Sequence, residues 1–217
     1  VTALSRLALL LPALAAASVA HGAALTPWYG RLGDGEARVM PQVHATAAGR
    51  VDPAVYVQGS YAGHFDMLVG VGGALSTTDD SAFDRVEVMP RVFLTDSLGA
   101  GLRASIDPAS ATSSLAPEVH GVARRGRLTL AVNLGYDRGT TFARLAPEVE
   151  LASRVSVFAE LNPAVDLDGS AALAVVPGLG LGLDRAGHHG LSLGVTVATL
   201  TPADPLWGLR YTARFGG

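Results

Sequence analysis

The feature that most constrains the fold of this chain is a two-residue alternation of apolar and polar side chains, repeated along most of its length. Between Asp84 and Thr95, Val86, Val88, Pro90, Val92 and Leu94 fall on one face. Arg85, Glu87, Met89, Arg91, Phe93 and Thr95 fall on the other. Successive side chains of a strand point to opposite faces, so the segment has one apolar wall and one mostly polar wall. The pattern recurs as Val39, Pro41, Val43 against Met40, Gln42, His44, and as Leu115, Pro117, Val119 against Ala116, Glu118, His120. It recurs again as Leu145, Pro147, Val149 against Arg144, Ala146, Glu148, Glu150, and as Val155, Val157, Ala159, Leu161 against Ser156, Phe158, Glu160, Asn162. Leu173, Val175, Pro177 and Leu179 likewise oppose Ala174, Val176, Gly178 and Gly180.

Applied throughout, the alternation predicts strands at 37–48, 54–62, 65–76, 84–95, 98–107, 115–124, 127–137, 142–152, 154–166, 171–184, 190–200 and 206–215. That is about twelve strands, or ten if a weak pair is merged, each near the roughly 9–11 residues of a tilted membrane strand. Short connections (Gly63-His64, Asp96-Ser97, Arg125-Gly126, Ser153) alternate with longer polar ones. The longer set comprises Gly49 to Pro53, Thr77 to Phe83, Pro108 to Ser114, Arg138 to Thr141, Leu167 to Ser170 and Thr201 to Pro205. Arg185 to His189 breaks the rule, being long where a short turn is expected. Such alternation of connections suits an up-and-down barrel with tight turns at one end and loops at the other.

Composition separates the remaining options. The chain is 49% hydrophobic and 16% charged, with 26 glycines and a mean hydropathy of +0.33. Yet past the first 25 or so residues no apolar run approaches the roughly 18 of a spanning helix. An apolar chain without such a helix either buries a large core or closes into a barrel facing lipid. A net charge of −3 with no long basic run argues against a nucleic-acid partner. Cys is absent, which excludes disulfides, a thiolate nucleophile and Cys-based metal sites.

The first residues have the order of an export signal: Arg6, an apolar stretch from Leu7 to Ala17, then small residues through Ala20 and Ala23. The expected organisation is a signal peptide over 1–23 and one barrel domain over 24–217. Export, the Gly- and Ser-rich polar phase, and the final strand together favour the apolar phase facing outward. In that final strand Trp207, Tyr211 and Phe215 fall on the apolar face. It resembles the closing strand of Gram-negative outer-membrane proteins, which the assembly machinery recognises by a terminal aromatic; here Gly216 and Gly217 follow Phe215. The resemblance implies an all-β, antiparallel transmembrane barrel in the outer membrane, with outer-membrane lipid and that machinery as partners. The strand–turn–strand unit from Pro147 to Pro163 is similar to hairpins of transporter-like barrels of aromatic-degradation (meta-pathway phenol degradation) systems. That similarity implies a passive conduit for small molecules.

Two features sit less easily with this reading. Aromatics make up only 6%, so interfacial girdles would be sparse. Pro41, Pro90, Pro117, Pro147, Pro163 and Pro177 lie mid-strand, where a missing N–H removes a ladder bond, and a shared bulge is one way to seat them.

Enclosed charges must pair or line a wet space, so the ionisable polar-phase residues are the candidate lumen lining. They are Arg85, Glu87, Arg91, Arg103, Glu118, His120, Arg124, Arg127, Arg144, Glu148, Glu150, Glu160, Arg210 and Arg214. The expected function is passage of a small solute. The alternatives are a structural or adhesive barrel with a closed lumen, or a lipid-modifying enzyme using His44 or His120 with nearby serines. No catalytic motif supports an enzyme. His188-His189 reads as a turn pair, since neighbours in an extended chain point apart. Asp79-Asp80 and Asp166-x-Asp168 lack calcium-loop spacing. Gly178-x-Gly180-x-Gly182 lacks the Lys and helix of a phosphate loop. No cofactor or metal is expected.

Overall fold

The computed structural model describes residues 32–46, 49–61, 64–75, 82–108, 110–184, 188–198 and 206–216. The export signal expected over 1–23 lies outside the described residues, as does Asp79-Asp80. Twelve strands follow in chain order: β1 (Ala37–Thr46), β2 (Val51–Tyr61), β3 (Phe65–Ala74), β4 (Ala82–Phe93), β5 (Leu98–Asp107) and β6 (Thr112–Arg125). The second half comprises β7 (Leu128–Asp137), β8 (Thr140–Ala152), β9 (Val155–Asp166), β10 (Ala171–Gly182), β11 (His189–Ala198) and β12 (Leu206–Phe215). Each pairs antiparallel with its neighbours in sequence, and β12 returns to β1, closing the sheet. Closure leaves no open edge, the condition for a sheet to stand in hydrocarbon.

The alternation places the twelve strands and misses ends by a few residues: β2 and β6 begin earlier than expected, at Val51 and Thr112, and β4 and β10 end earlier, at Phe93 and Gly182. Two local expectations fail. The connection Arg138 to Thr141 is not a long loop: Arg138 and Gly139 have φ of 48° and 91° and form a two-residue hairpin between β7 and β8. Positive φ at both central residues is the type I′ geometry, whose twist matches that of the flanking strands. Arg127 does not begin a strand but sits with Gly126 in the two-residue turn between β6 and β7.

The six prolines do not mark bulges either. Around Pro41, Val39 pairs with Ala213 and Gln42 with Arg210, so the register continues unshifted past it. The same holds at Pro90, where Val88 pairs with Ala104 and Arg91 with Gly101, and at Pro177, where Val175 pairs with Val197 and Gly178 with Gly194. Each of these prolines keeps a register partner on its other side: Val55, Met67 and Ala159. One ladder position is lost and the strand runs straight on. The register shifts lie elsewhere, at Gly72/Gly73 and at Glu150/Ala152.

The apolar phase is on the outside. Val57, Val69, Val71, Val92, Leu102, Val119, Leu130, Leu134, Leu179, Leu193 and Leu209 all project outward and remain exposed. In water this surface would be a large unfavourable apolar patch; in a bilayer it is the matching surface. The few aromatics are concentrated where they are needed. Tyr61, Phe65 and Phe215 ring the end that carries the chain termini of the barrel, and Phe83, Tyr136 and Trp207 the opposite end. Trp207 and Phe215 are separated by about 26 Å of strand, comparable to the apolar band of such barrels.

Inside, a small apolar cluster of Met40, Ala54, Tyr56, Leu68 and Met89 fills the lumen between β1 and β4. Four inward aromatics face a glycine on the paired strand: Tyr56 with Gly70, Phe93 with Gly99, Phe142 with Gly135, and Phe158 with Gly178. A Cβ on those glycines would lie within 2.3–2.7 Å of the ring. The glycines therefore let large rings lie flat on the wall.

Candidate functional site

The polar phase of the alternation forms an interior of charges. On β3 and β4, Asp66 and Arg91 are direct register partners, and their side chains meet in a two-point bond, Nε–Oδ1 2.6 Å and Nη2–Oδ2 2.7 Å. Gln58 Nε2 donates to the same carboxylate at 2.6 Å, and Arg38 Nε donates to Gln58 Oε1. Arg91 is 0% exposed. So complete a desolvation of a guanidinium is tolerable only because the paired oxygens replace its water.

A second knot forms on β4 to β8 around Arg103. Its Nε donates to Glu118 Oε1 at 2.7 Å, its Nη1 lies 3.5 Å from Glu87 Oε1, and its Nη2 lies 3.6 Å from Asp137 Oδ2. Arg144 approaches the other oxygen of Glu118 at 3.6 Å. The Phe142 ring lies under both guanidiniums, 5.7 Å from that of Arg103 and 4.7 Å from that of Arg144. Tyr56 OH donates to Glu87 at 3.2 Å, and His120 Nδ1 donates to Asn133 Oδ1 at 3.1 Å.

The candidate residues thus divide into groups. Glu87, Arg91, Arg103, Glu118, His120, Arg144 and Glu160 are buried within the lumen, and Arg85 and Arg210 are half-buried on its wall. Arg124, Arg127, Glu148 and Glu150 are gathered at the end of the barrel that carries the termini, and Arg214 is exposed at that same end. Arg38, Asp66 and Gln58 are central to the network, yet only the same alternation phase marked them. Asp137 was missed because it stands at the last position of its strand.

The lumen wall is not uniform. At mid-barrel the interior is closely packed, with Leu68, Met89, Ala116, Asn133, Val176, Thr196 and Leu206 all buried. On β9 to β12 small inward residues, Ser156, Gly178, Gly180, Gly182, Gly190 and Ser192, lie toward the termini end, and Glu160, Asn162, Val176, Thr196 and Leu206 fill the inward positions beyond them. A cavity of about 380 Å³ lies at the termini end, lined by Arg124, Thr129, Glu148 and Glu150 on β6 to β8 and by Ser156, Gly180 and Ser192 on β9 to β11. Arg124 pairs with Glu150 at 3.4 Å across it.

His44 and His120 point into the lumen and not toward lipid, so among the described residues neither offers a bilayer-facing catalytic centre. The turn reading holds for His188 alone, because His189 opens β11 and pairs with Ala213. The amides of both histidines donate to Asp184 at 3.2 and 2.7 Å, which holds that carboxyl below its ordinary range, and the His189 ring bonds to Tyr211 OH at 2.7 Å.

No protein-family model and no curated protein matches the sequence. Solved structures do match in fold. The NanC porin superposes with a TM-score of 0.62 at 8% identity, over 82% of this chain and 98% of that one. The KdgM porin gives 0.64 at 11% identity, over 82% of this chain and 99% of that one. A structure of the KdgM porin in complex with disordered oligogalacturonate gives 0.61 at 10% identity, over 83% and 99%. Nearly the whole of each of these porins is matched, with almost no identity of sequence. What is shared is the fold of an outer-membrane porin barrel.

Proposed function

We propose that the chain is an outer-membrane barrel that lets small polar solutes pass through its lumen. The observation that carries this reading is the inversion of the barrel: an apolar outer band around an interior lined with Arg, Asp and Glu. A closed sheet that confines charge inside and shows hydrocarbon outside has its polar chemistry available only to something within the lumen. The porin fold supports the same reading, and the cavity at the termini end supplies space for a solute.

At the β1–β12 seam Arg38 and Arg214 are register partners, and Arg210 stands on the same inward phase of β12. This concentration of guanidinium favours anions over cations in the lumen. The decisive measurement is single-channel recording in planar bilayers under a salt gradient. Discrete current steps with a reversal potential on the anion side are expected; folded barrel that repeatedly inserts and passes no current would refute the reading. The narrower similarity to aromatic-degradation barrels is supported by the Pro147–Pro163 hairpin and by the inward Phe158 ring. Faster entry of a small phenol than of an equal-sized sugar into barrel-containing liposomes is its test.

The tight packing of the Arg103 and Arg91 networks favours one second reading, a closed barrel acting through its loops. That reading requires absence of current together with an envelope defect on deletion.

A further inference from the structure

We infer that the cavity at the termini end is a binding site for a small zwitterion, with Glu148 meeting its ammonium and Arg154 its carboxylate. The site goes beyond the conduit reading, since docking at a mouth requires no passage. Three observations carry it.

The first is what bounds the cavity. Its wall includes Thr129 of β7, Glu148 of β8, Ser156 of β9 and Ser192 of β11, with Arg154 in the turn between β8 and β9. Further in, Ala131, Ala146, Glu160, Val176 and Thr196 are all buried, so the cavity opens toward the termini end. At about 380 Å³ it has the size of a small-molecule pocket.

The second is a bare stretch of β10. Gly180 and Gly182 are successive inward positions, about 7 Å apart along the strand. A Cβ on Gly180 would lie 2.5 Å from Ser156 Oγ and 3.9 Å from Glu148 Oε1. One on Gly182 would lie 3.5 Å from Cβ of Arg154. The naked backbone therefore has the Glu148 carboxylate beside one position and the base of the Arg154 side chain beside the next. An acid and a base flank the same patch of wall.

The third is which charges are already engaged. Arg124 is paired with Glu150 at 3.4 Å, Arg127 donates to the Leu151 backbone oxygen at 3.4 Å, and His189 bonds to Tyr211. Among the described residues, no hydrogen bond or ion pair engages the Glu148 carboxylate or the Arg154 guanidinium. A ligand carrying both signs can meet both groups at once, whereas a simple anion is repelled by Glu148 and a simple cation by Arg154. The Thr129, Ser156 and Ser192 hydroxyls supply further donors and acceptors. Both charged groups are solvated in the empty cavity, so each contact contributes modestly, which suits a solute that must also leave.

The test uses L-alanine as the zwitterion, with propionate (no ammonium) and ethylamine (no carboxylate) as matched controls. Each is titrated into the barrel folded in detergent, and binding is followed by saturation-transfer NMR. L-Alanine should bind at least about threefold more tightly than either control, the worth of one solvated ion pair. Glu148→Gln should weaken L-alanine by about threefold and leave propionate no weaker; Arg154→Gln should do the same to L-alanine and leave ethylamine no weaker. Both positions are exposed, so both variants should keep the compact gel mobility of the folded barrel. Equal binding of the three compounds, or unchanged L-alanine affinity in the two variants, would overturn the site. Binding is read without current: a barrel that conducts and does not bind L-alanine refutes the site alone, and one that binds it and passes no current supports the site and refutes the conduit.

Discussion

Arg91 shows how this interior tolerates charge. All 16 basic residues of the chain are arginines, whose planar fork can meet both oxygens of a carboxylate while a lysine cannot. Arg91 meets Asp66 in this way, and Arg103 is divided among three acids. Removing one member leaves a buried charge without compensation. Asp66→Ala is therefore expected to destabilise the folded barrel by about 3–5 kcal/mol. Replacing both partners, as Asp66→Leu with Arg91→Met, should cost clearly less, because no charge is then stranded. Urea unfolding of the barrel in lipid vesicles, followed by tryptophan fluorescence, separates the two. Equal losses would mean that the pair is not the unit of stability.

At the level of strands and turns, the chain relies on glycine where a side chain would collide or the backbone must turn left. Gly139, at φ 91°, closes the β7–β8 hairpin with Arg138. Gly139→Ala forces an L-residue into left-handed conformation and is expected to cost about 1–2 kcal/mol. Gly126→Ala, at φ 59° in the β6–β7 turn, should behave similarly. Thermal shift of the heat-modifiable band reads both, and a variant as stable as wild type would show the turn to be adaptable. The prolines act at the same scale by a different means. Each places its ring on the lipid face and gives up one ladder bond without moving the register, so neighbouring hydrogen bonds hold the strand in place.

For the whole molecule, stability depends on which medium each face meets. Val69 projects outward from the middle of β3, opposite Val57 and Val88 on its neighbours. Val69→Arg is expected to cost about 2–4 kcal/mol if that position lies at the bilayer midplane. Thr129→Arg, facing the cavity, should stay within about 0.5 kcal/mol. The comparison of their folding free energies in vesicles checks the orientation of the entire wall. Reversed costs would place the apolar phase inside.

Class, strand number and facing were legible in the chain because a period of two assigns each side chain to a face without knowledge of any partner. Arg85, Glu87, Arg103, Glu118 and Arg144 could be assigned to the interior on that ground alone. Which charge meets which could not. The Asp66–Arg91 contact depends on register between β3 and β4, and register is set by turn length and by the shift at Gly72/Gly73, both of which appear only when strands pair. Nor could alternation reveal which inward glycine lies beneath which ring, as Gly178 beneath Phe158, since that requires the strands to pair. Local sequence determined the direction of each side chain; the closed sheet alone decided its neighbours.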